Sequence, residues 1–186
     1  MADRHQVIRV ILNREHLAGV LTEALTTCRR RLFIATADVK DVHIPRGVAT
    51  GRRAGDAVSV FEVFGELATR GVEIHLLHGG LPSGPFMERL RGDLPATMTM
   101  RRCPRVHAKA VIVDARRMYL GSANFTGAGL GAKSARRRNF EAGIWTDETA
   151  LIDPVADMLQ EIWSGARCDN CGRTQHCPVP LEEPCL

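Results

Sequence analysis

The sequence predicts an α/β protein in which a mixed, mostly parallel β-sheet is sandwiched by helices. Two observations support this class: helical and strand patterns alternate along the chain, and the apolar fraction of 45% suits an ordinary globular core. The length of 186 residues fits one domain with a small appendage. We therefore place the main domain at residues 1–165 and a cysteine-rich tail at residues 166–186, where the composition changes.

Each element follows from its local pattern of apolar and turn-forming residues. Asn13 and Asp147 are expected to cap the first and last helices. Helical spacing of apolar residues predicts helices after residue 13 and at 57–70, 86–91 and 149–163. Apolar or alternating runs predict strands at 32–37, 72–77, 98–103, 118–121 and 139–145 and one that starts near residue 105. Proline and glycine predict a loop at residues 38–56.

The most informative stretch is residues 107–124, where polar side chains interrupt an apolar strand pattern. Because side chains alternate faces along a strand, His107 and Lys109 are expected to point into the same site. The next residues, 110–113, are apolar on both faces and predict a strand that is buried on both sides. A nucleophile and a cation at the start of such a strand are costly to bury, which indicates a functional site.

The spacing His-x-Lys-x4-Asp-x6-Gly-Ser-x-Asn is filled here without a gap or a substitution. Its positions are His107, Lys109, Asp114, Gly121, Ser122 and Asn124. This arrangement resembles the signature of the phospholipase D superfamily, and a chain with one such motif resembles its bacterial nuclease-like members. The resemblance covers the core of the chain and implies the phospholipase D-like fold.

Cleavage of a phosphodiester requires a nucleophile, donors for the non-bridging oxygens and an acid for the leaving oxygen. The resemblance implies that His107 attacks phosphorus and forms a phosphohistidine intermediate, with no metal or other cofactor needed for catalysis. Lys109, Ser122 and Asn124 offer an ammonium, a hydroxyl and an amide to the phosphoryl oxygens. The reaction class expected from these residues is phosphodiester hydrolysis.

Two carboxylates complete the candidate catalytic set. Glu141 matches the carboxylate that family members place after the signature, and the resemblance implies that it orients the nucleophilic histidine. Asp114 belongs to the signature but ends its strand on the face opposite His107. We therefore expect Asp114 to be a structural hydrogen-bonding residue.

The chain contains one His-x-Lys motif. Family members use two, one histidine attacking phosphorus while the other protonates the leaving group. The resemblance therefore implies a homodimer with one shared active site on its two-fold axis.

Arginines on both sides of the signature favour a polyanionic substrate. Arg105 precedes the motif and Arg136, Arg137 and Arg138 follow it, so these four are candidate substrate-binding residues. A solvated arginine-rich surface is the alternative interpretation. Aromatic residues make up 5% of the chain, so base stacking is expected to be minor. The leading prediction is a nonspecific endonuclease acting on DNA or RNA.

Two other functions stay open on the sequence alone. One is a nucleic-acid-binding or sensing module with little turnover, and the other is a phospholipid-cleaving phospholipase D. No clear interfacial helix and no apolar run long enough to cross a bilayer is present in the sequence, so no membrane partner is expected. The N-terminal segment does not resemble a signal peptide, and a cytoplasmic location is the default expectation.

The tail carries a second pattern, Cys168-x2-Cys171-x5-Cys177-x7-Cys185. In a reducing compartment such cysteines serve as metal ligands or buried thiols more often than as disulfides. Four thiolates at this spacing predict a structural zinc ion, with an iron–sulfur cluster and an unliganded tail as alternatives. Any metal here would be remote from the hydrolytic site.

Overall fold

The computed structural model describes residues 7–45, 57–92 and 94–183. The strands, in chain order, are β1 (Ile8–Leu12), β2 (Arg31–Thr36), β3 (His43–Pro45), β4 (Ala57–Ser59), β5 (Glu73–His78), β6 (Met98–Arg102), β7 (Ala110–Val113), β8 (Arg117–Gly121) and β9 (Ala142–Thr146). The helices are α1 (Glu23–Thr27), which continues a π-helical segment at Leu17–Thr22, α2 (Val60–Thr69), α3 (Gly84–Gly92) and α4 (Thr149–Ser164). Most of the predicted 38–56 loop, residues 46–56, lies outside the described residues.

Seven strands form one mixed sheet in the order β1-β9-β8-β7-β2-β5-β6, and β3 pairs with β4 separately. The α/β class with a sheet between helices is confirmed. The sheet is not mostly parallel, however, because only β2–β5 and β5–β6 are parallel pairs and the other four pairs are antiparallel. The two parallel pairs are joined through crossovers that contain α2 and α3, whereas the tight turn between β7 and β8 allows only antiparallel pairing.

Apolar cores cover both faces of the sheet. Ile34 and Val111 face a core shared with α1, α2 and α3. Phe33 and Ile112, their neighbours on β2 and β7, face a second core that α4 closes with residues such as Leu159. The strand after His107 is therefore buried on both sides, as its continuous apolar pattern predicts.

Two predicted helix caps are replaced by neighbouring contacts. Glu148 rather than Asp147 caps α4, because Glu148 Oε1 accepts a hydrogen bond from the Ala150 N–H at 3.1 Å. Asn13 adopts a positive φ of 49° and caps no helix. Its side-chain oxygen instead accepts from the Glu141 N–H at 3.2 Å, which ties the end of β1 to the segment before β9.

The segment after α4 turns back onto the edge strand β6. The Arg102 N–H donates to the Glu182 carbonyl at 2.9 Å, and the Arg102 guanidinium pairs with the Glu182 carboxylate at 3.1 Å. Leu181 packs against the second core. Within the described ranges, none of the helices has both the length and the apolar character needed to span a bilayer.

Candidate active site

The predicted catalytic residues lie together at one edge of the sheet. His107 and Lys109 precede β7, Ser122 and Asn124 follow β8, and Glu141 precedes β9. Because β7, β8 and β9 are successive antiparallel neighbours, the start of β7, the end of β8 and the start of β9 meet at the same edge.

The signature strand begins later than predicted. β7 starts at Ala110, whereas the pattern placed its start near Arg105. A turn in which the Val106 N–H donates to the Cys103 carbonyl at 2.9 Å occupies the predicted first residues. In the segment between this turn and β7, the Lys109 carbonyl accepts a hydrogen bond from the Gly121 N–H at 3.1 Å.

Lys109 is a buried cation beside an exposed imidazole. Lys109 is 8% exposed to solvent, and its Nζ lies 3.1 Å from Nδ1 and 3.2 Å from Nε2 of His107. It also donates to the His107 carbonyl at 2.7 Å. Burial lowers the pKa of Lys109, and the negative charge of Glu141 acts in the opposite direction. Because the ammonium is almost equidistant from the two ring nitrogens, it contacts the imidazole without one preferred acceptor.

Asn124 is oriented by the end of β2. Its Oδ1 accepts from the Asp38 N–H at 3.2 Å. The Thr36 hydroxyl donates to the Asp38 carbonyl at 2.8 Å and accepts from the Phe125 N–H at 2.9 Å. These bonds fix the segments on both sides of the amide. With its oxygen engaged, Asn124 has its Nδ2 group left to donate to a substrate oxygen.

Ser122 and Glu141 form a pair at the same edge. The Ser122 hydroxyl donates to Glu141 Oε2 and accepts from the Ala142 N–H at 3.0 Å. The other carboxylate oxygen of Glu141 accepts from Asn139 Nδ2 at 2.9 Å. Within one chain, Glu141 therefore binds Ser122 and Asn139, and its predicted role in orienting His107 stays a prediction.

Tyr119 supports the turn that carries Ser122 and Asn124. Its buried hydroxyl accepts from the Ala123 N–H at 3.2 Å, and burial raises its pKa to about 12. The ring passes over a pair of glycines, Gly121 and Gly143. A Cβ on Gly121 would lie 2.6 Å from the Ala142 carbonyl oxygen, so the glycine of the signature is required by close packing.

Asp114 lies at the opposite end of β7 from the site. Its carboxylate accepts from the backbone N–H groups of Arg29, Arg30 and Arg31 at 2.8 to 2.9 Å. Burial alone would raise the pKa of Asp114, but these hydrogen bonds lower it below its ordinary value. The carboxylate thus holds the segment between α1 and β2, which is the structural position expected for it.

The candidate substrate-binding arginines fall into two groups. Arg105 is exposed, and its Nη1 donates to Cys171 Sγ at 3.6 Å, so it is directed toward the tail. Arg136, Arg137 and Arg138 form a surface turn closed by hydrogen bonds to the Ser134 carbonyl. In the described parts of the chain, none of these three pairs with a carboxylate, and their charges remain available to an anion.

The cysteine tail is described as far as residue 183, so Cys185 lies outside the described residues. Cys168, Cys171 and Cys177 are free thiols on the surface of the second core. Among residues 7–45, 57–92 and 94–183, no group of three or more His, Cys, Asp or Glu side chains has the geometry of a metal site as it stands.

Two residues that support the site were missed by the sequence interpretation. Thr36 appears in the sequence only as a polar residue in an apolar strand, and its contact with the Asn124 segment spans 88 residues. Tyr119 is the single tyrosine of the chain and lies inside a predicted core strand. A polar atom on an otherwise apolar strand was the available signal in both cases, since a buried polar group needs a partner.

Solved structures of similar fold include a phospholipase D family member, Nuc from Salmonella typhimurium, and NucT from Helicobacter pylori. Nuc is 16% identical with a TM-score of 0.61, covering 86% of this chain and 95% of its own. NucT is 15% identical with a TM-score of 0.59, covering 84% and 95%. Phosphatidylserine synthase from Haemophilus influenzae is 14% identical with a TM-score of 0.56, covering 87% of this chain but 39% of its own.

No curated protein is significantly similar to this chain in sequence. The sequence profile of a family does match, however, over residues 1–163. That range contains every element of the sheet and all of the residues gathered at its edge. The chain therefore belongs to the phospholipase D-like phosphodiesterases, in the family described as "Cardiolipin synthase, PLD-like domain".

Proposed function

We propose that this protein is an endonuclease that cleaves DNA or RNA without a catalytic metal, through a phosphohistidine intermediate in a homodimeric active site. The observation that carries the proposal is the exposed edge at which His107, Lys109 and Asn124 converge in a single copy. One copy supplies a nucleophile and oxygen donors but no second histidine for the leaving group. A second copy of the same edge supplies that acid.

In the first step, a ring nitrogen of His107 attacks phosphorus and forms an N–P bond while the bond to the leaving oxygen breaks. The second copy of His107, in its protonated form, gives its proton to that oxygen. Lys109 and the Nδ2 group of Asn124 donate to the non-bridging oxygens. Two copies of each surround the phosphate and offset its developing negative charge.

In the second step, water attacks the phosphohistidine on the side that the leaving group vacated. The second copy of His107, now neutral, accepts a proton from the water as the new O–P bond forms. The N–P bond breaks and returns the electron pair to the first His107. The products are a phosphomonoester and the starting enzyme, so the cycle balances without a redox partner.

Nucleic acid as the substrate is supported by charge. The turn of Arg136, Arg137 and Arg138 is near in sequence to Glu141 and carries positive charges that no described carboxylate neutralises. Arginines in this state bind successive phosphates and gain from counterion release. The fold is also shared with Nuc and NucT, each of which is covered over 95% of its own chain.

The dimer is supported by apolar groups beside the site. Phe140, next to Glu141, is 97% exposed, and Val10 and Leu12 on the edge strand β1 are also exposed. Leu12 pairs with Ala142 across the sheet, so the strand reaches the same edge as the candidate site. Exposed apolar groups at one edge are typical of a surface that a partner covers.

The test compares cleavage of supercoiled plasmid, single-stranded DNA and RNA by the wild type, His107→Ala and the control His43→Ala, whose imidazole lies outside the site. We expect cleavage by the wild type and the control to persist when EDTA is added at the start of the reaction. His107→Ala should lose cleavage while retaining nucleic-acid binding.

Three results would contradict the proposal. Binding without cleavage by the wild type would indicate a recognition module. Release of a headgroup from phosphatidylglycerol vesicles with intact nucleic acid would indicate a lipid phosphodiesterase. Full activity of His107→Ala would show that His107 is not the nucleophile.

A further inference from the structure

A cavity of about 280 Å³ at the junction between the tail and the main domain is lined by four cysteines. Three of them, Cys168, Cys171 and Cys177, belong to the tail. The fourth is Cys103, which directly follows β6 and is separated from the others by more than sixty residues. The spacing of the tail predicts Cys185 as the fourth thiol, but Cys185 lies outside the described residues, and within them the fold brings Cys103 to the cavity.

The backbone fixes Cys103 at the mouth of this cavity. Its N–H donates to the His78 carbonyl at 2.9 Å, continuing the pairing of β5 and β6. The tail is held against the same place by the two contacts between Arg102 and Glu182, and by Leu181 in the cavity wall. Cys103 and the tail thiols are therefore brought together by the fold, not by chance proximity in sequence.

The two cysteines at the start of the tail form the kind of turn that binds metals. The Cys171 N–H donates to the Cys168 carbonyl at 3.0 Å, and both residues line the same cavity. Cys171 Sγ accepts a hydrogen bond from Arg105 Nη1 at 3.6 Å. A thiolate ligand is stabilised when protein groups that do not bind the metal donate hydrogen bonds to its sulfur.

The charges around the cavity match an ion held by four thiolates. A zinc ion with four cysteine thiolates has a net charge of −2. Arg105 and Arg173 line the cavity, and neither is paired with a carboxylate in the described part of the chain. These two exposed guanidinium groups place positive charge beside that net negative charge.

We propose that Cys103, Cys168, Cys171 and Cys177 bind one structural zinc ion. The side chains line one cavity without converging to ligand distances, so we expect them to turn inward on binding and to release a proton from each thiol that is protonated. The ion would fasten the tail to the segment that leads from β6 into His107. This site does not depend on the proposed nuclease activity.

The test measures zinc on the full chain, purified without a metal-binding tag, for the wild type, Cys103→Ser and the matched variant Cys185→Ser. The wild type and Cys185→Ser should contain about one zinc per chain. In competition with a zinc-binding dye, Cys103→Ser should bind more than about 100-fold less tightly, because it loses a direct ligand. After cobalt substitution, its thiolate-to-metal charge-transfer band should fall by about a quarter, from four thiolates to three.

A further variant, Cys103→His, guards against simple misfolding of Cys103→Ser. An imidazole at this position restores a four-coordinate site, so zinc affinity should recover while the cobalt band stays at the three-thiolate level. The proposal is overturned if Cys185→Ser rather than Cys103→Ser weakens zinc binding, or if the wild type binds no metal. Iron with inorganic sulfide in the purified protein would overturn the assignment of zinc.

Discussion

Lys109 carries a positive charge into a position almost closed to water, and no carboxylate in the described residues forms an ion pair with it. Among the described residues, its Nζ has hydrogen-bonding contacts only with the ring and the carbonyl of His107. Desolvation of its ammonium lowers the pKa of Lys109, and the negative charge of Glu141 offsets part of that effect. A buried cation of this kind is a candidate ligand-binding group, and in the proposed function its ligand is a phosphate.

Replacement of Lys109 by methionine should separate stability from activity. Lys109→Met keeps the length of the side chain and removes the desolvated charge, so we expect stability to rise by about 1 kcal/mol. Cleavage should fall by at least about 1,000-fold, because the non-bridging oxygens lose a charged donor. Urea denaturation and plasmid cleavage measure the two effects. A loss of stability that matches the loss of activity would mean that the lysine is mainly structural.

Tyr119→Phe should weaken the turn that carries the two polar residues of the signature. It removes one buried hydroxyl and leaves the Ala123 N–H without its acceptor, at a cost of about 1–2 kcal/mol in the free energy of unfolding. Because Tyr119 acts through the position of Ser122 and Asn124, kcat should fall while KM changes little. Unchanged kcat in a destabilised variant would limit Tyr119 to a packing role.

The candidate catalytic residues are easier to predict from the sequence than the residues that support them. His107, Lys109 and Asn124 stand in a fixed spacing within eighteen residues, and local alternation already predicts a shared direction for the first two. Thr36 and Asp38 reach Asn124 only through the pairing of β2 with β7. Such contacts depend on sheet order, which a single sequence does not specify.

At the scale of the element, β7 is a four-residue strand whose two ends make different contacts. One end opens into the candidate site, and the other ends at Asp114, which accepts three backbone N–H groups before β2. Since β2 and β7 are paired, the hydrogen bonds of Asp114 help to fix the register of β7, the strand that directly follows His107 and Lys109. The aspartate of the signature therefore lies at the end of β7 away from the candidate site and stabilises the pairing of that strand with β2.

Asp114→Ala should destabilise the protein by about 2 kcal/mol at neutral pH, because three backbone donors lose a charged acceptor. In the matched variant Asp147→Ala, the Val7 N–H loses the carboxylate oxygen to which it donates. The free energy of unfolding should fall by less than about 1 kcal/mol. Urea denaturation compares the two.

The same variant should alter the acid dependence of stability. Hydrogen bonding lowers the pKa of Asp114 in the folded state, so its contribution is complete above the unfolded value of about 3.9 and is lost as the pH falls through the folded value. The stability difference between the wild type and Asp114→Ala should therefore shrink below about pH 4. A difference that stays constant down to pH 2 would exclude an ionised carboxylate as its origin.

The elements show where local patterns stop being informative. Continuous apolar runs predicted β2, β5 and β7 as buried strands, and the cores on both sides of the sheet agree. The prediction of a mostly parallel sheet was wrong. Alternation of helices and strands suggests parallel crossovers, but it says little about the antiparallel half of the sheet that contains β7, β8, β9 and β1. Likewise, Cys103 lies beside the tail cysteines because the tail folds back onto β6, and the local sequence does not predict that contact.

At the scale of the whole molecule, a shared site makes a quantitative prediction for mixed dimers. Wild type and His107→Ala are coexpressed with different tags so that subunits assemble at random. If each site needs both histidines, activity follows the square of the wild-type fraction and is about a quarter at equal amounts. Independent sites would give about half. A linear dependence would rule out the two-fold shared site, and sedimentation measures the dimer itself.

The single copy of the signature has a consequence for how such an enzyme can change over time. In the proposed dimer, one codon specifies both the attacking histidine and the proton donor, so every mutation near His107 alters both roles together. Neither role can be improved separately, and an asymmetric substrate meets a symmetric site in two equivalent orientations. Specialisation of the two histidines would first require duplication and fusion of the gene, which would free each half to diverge.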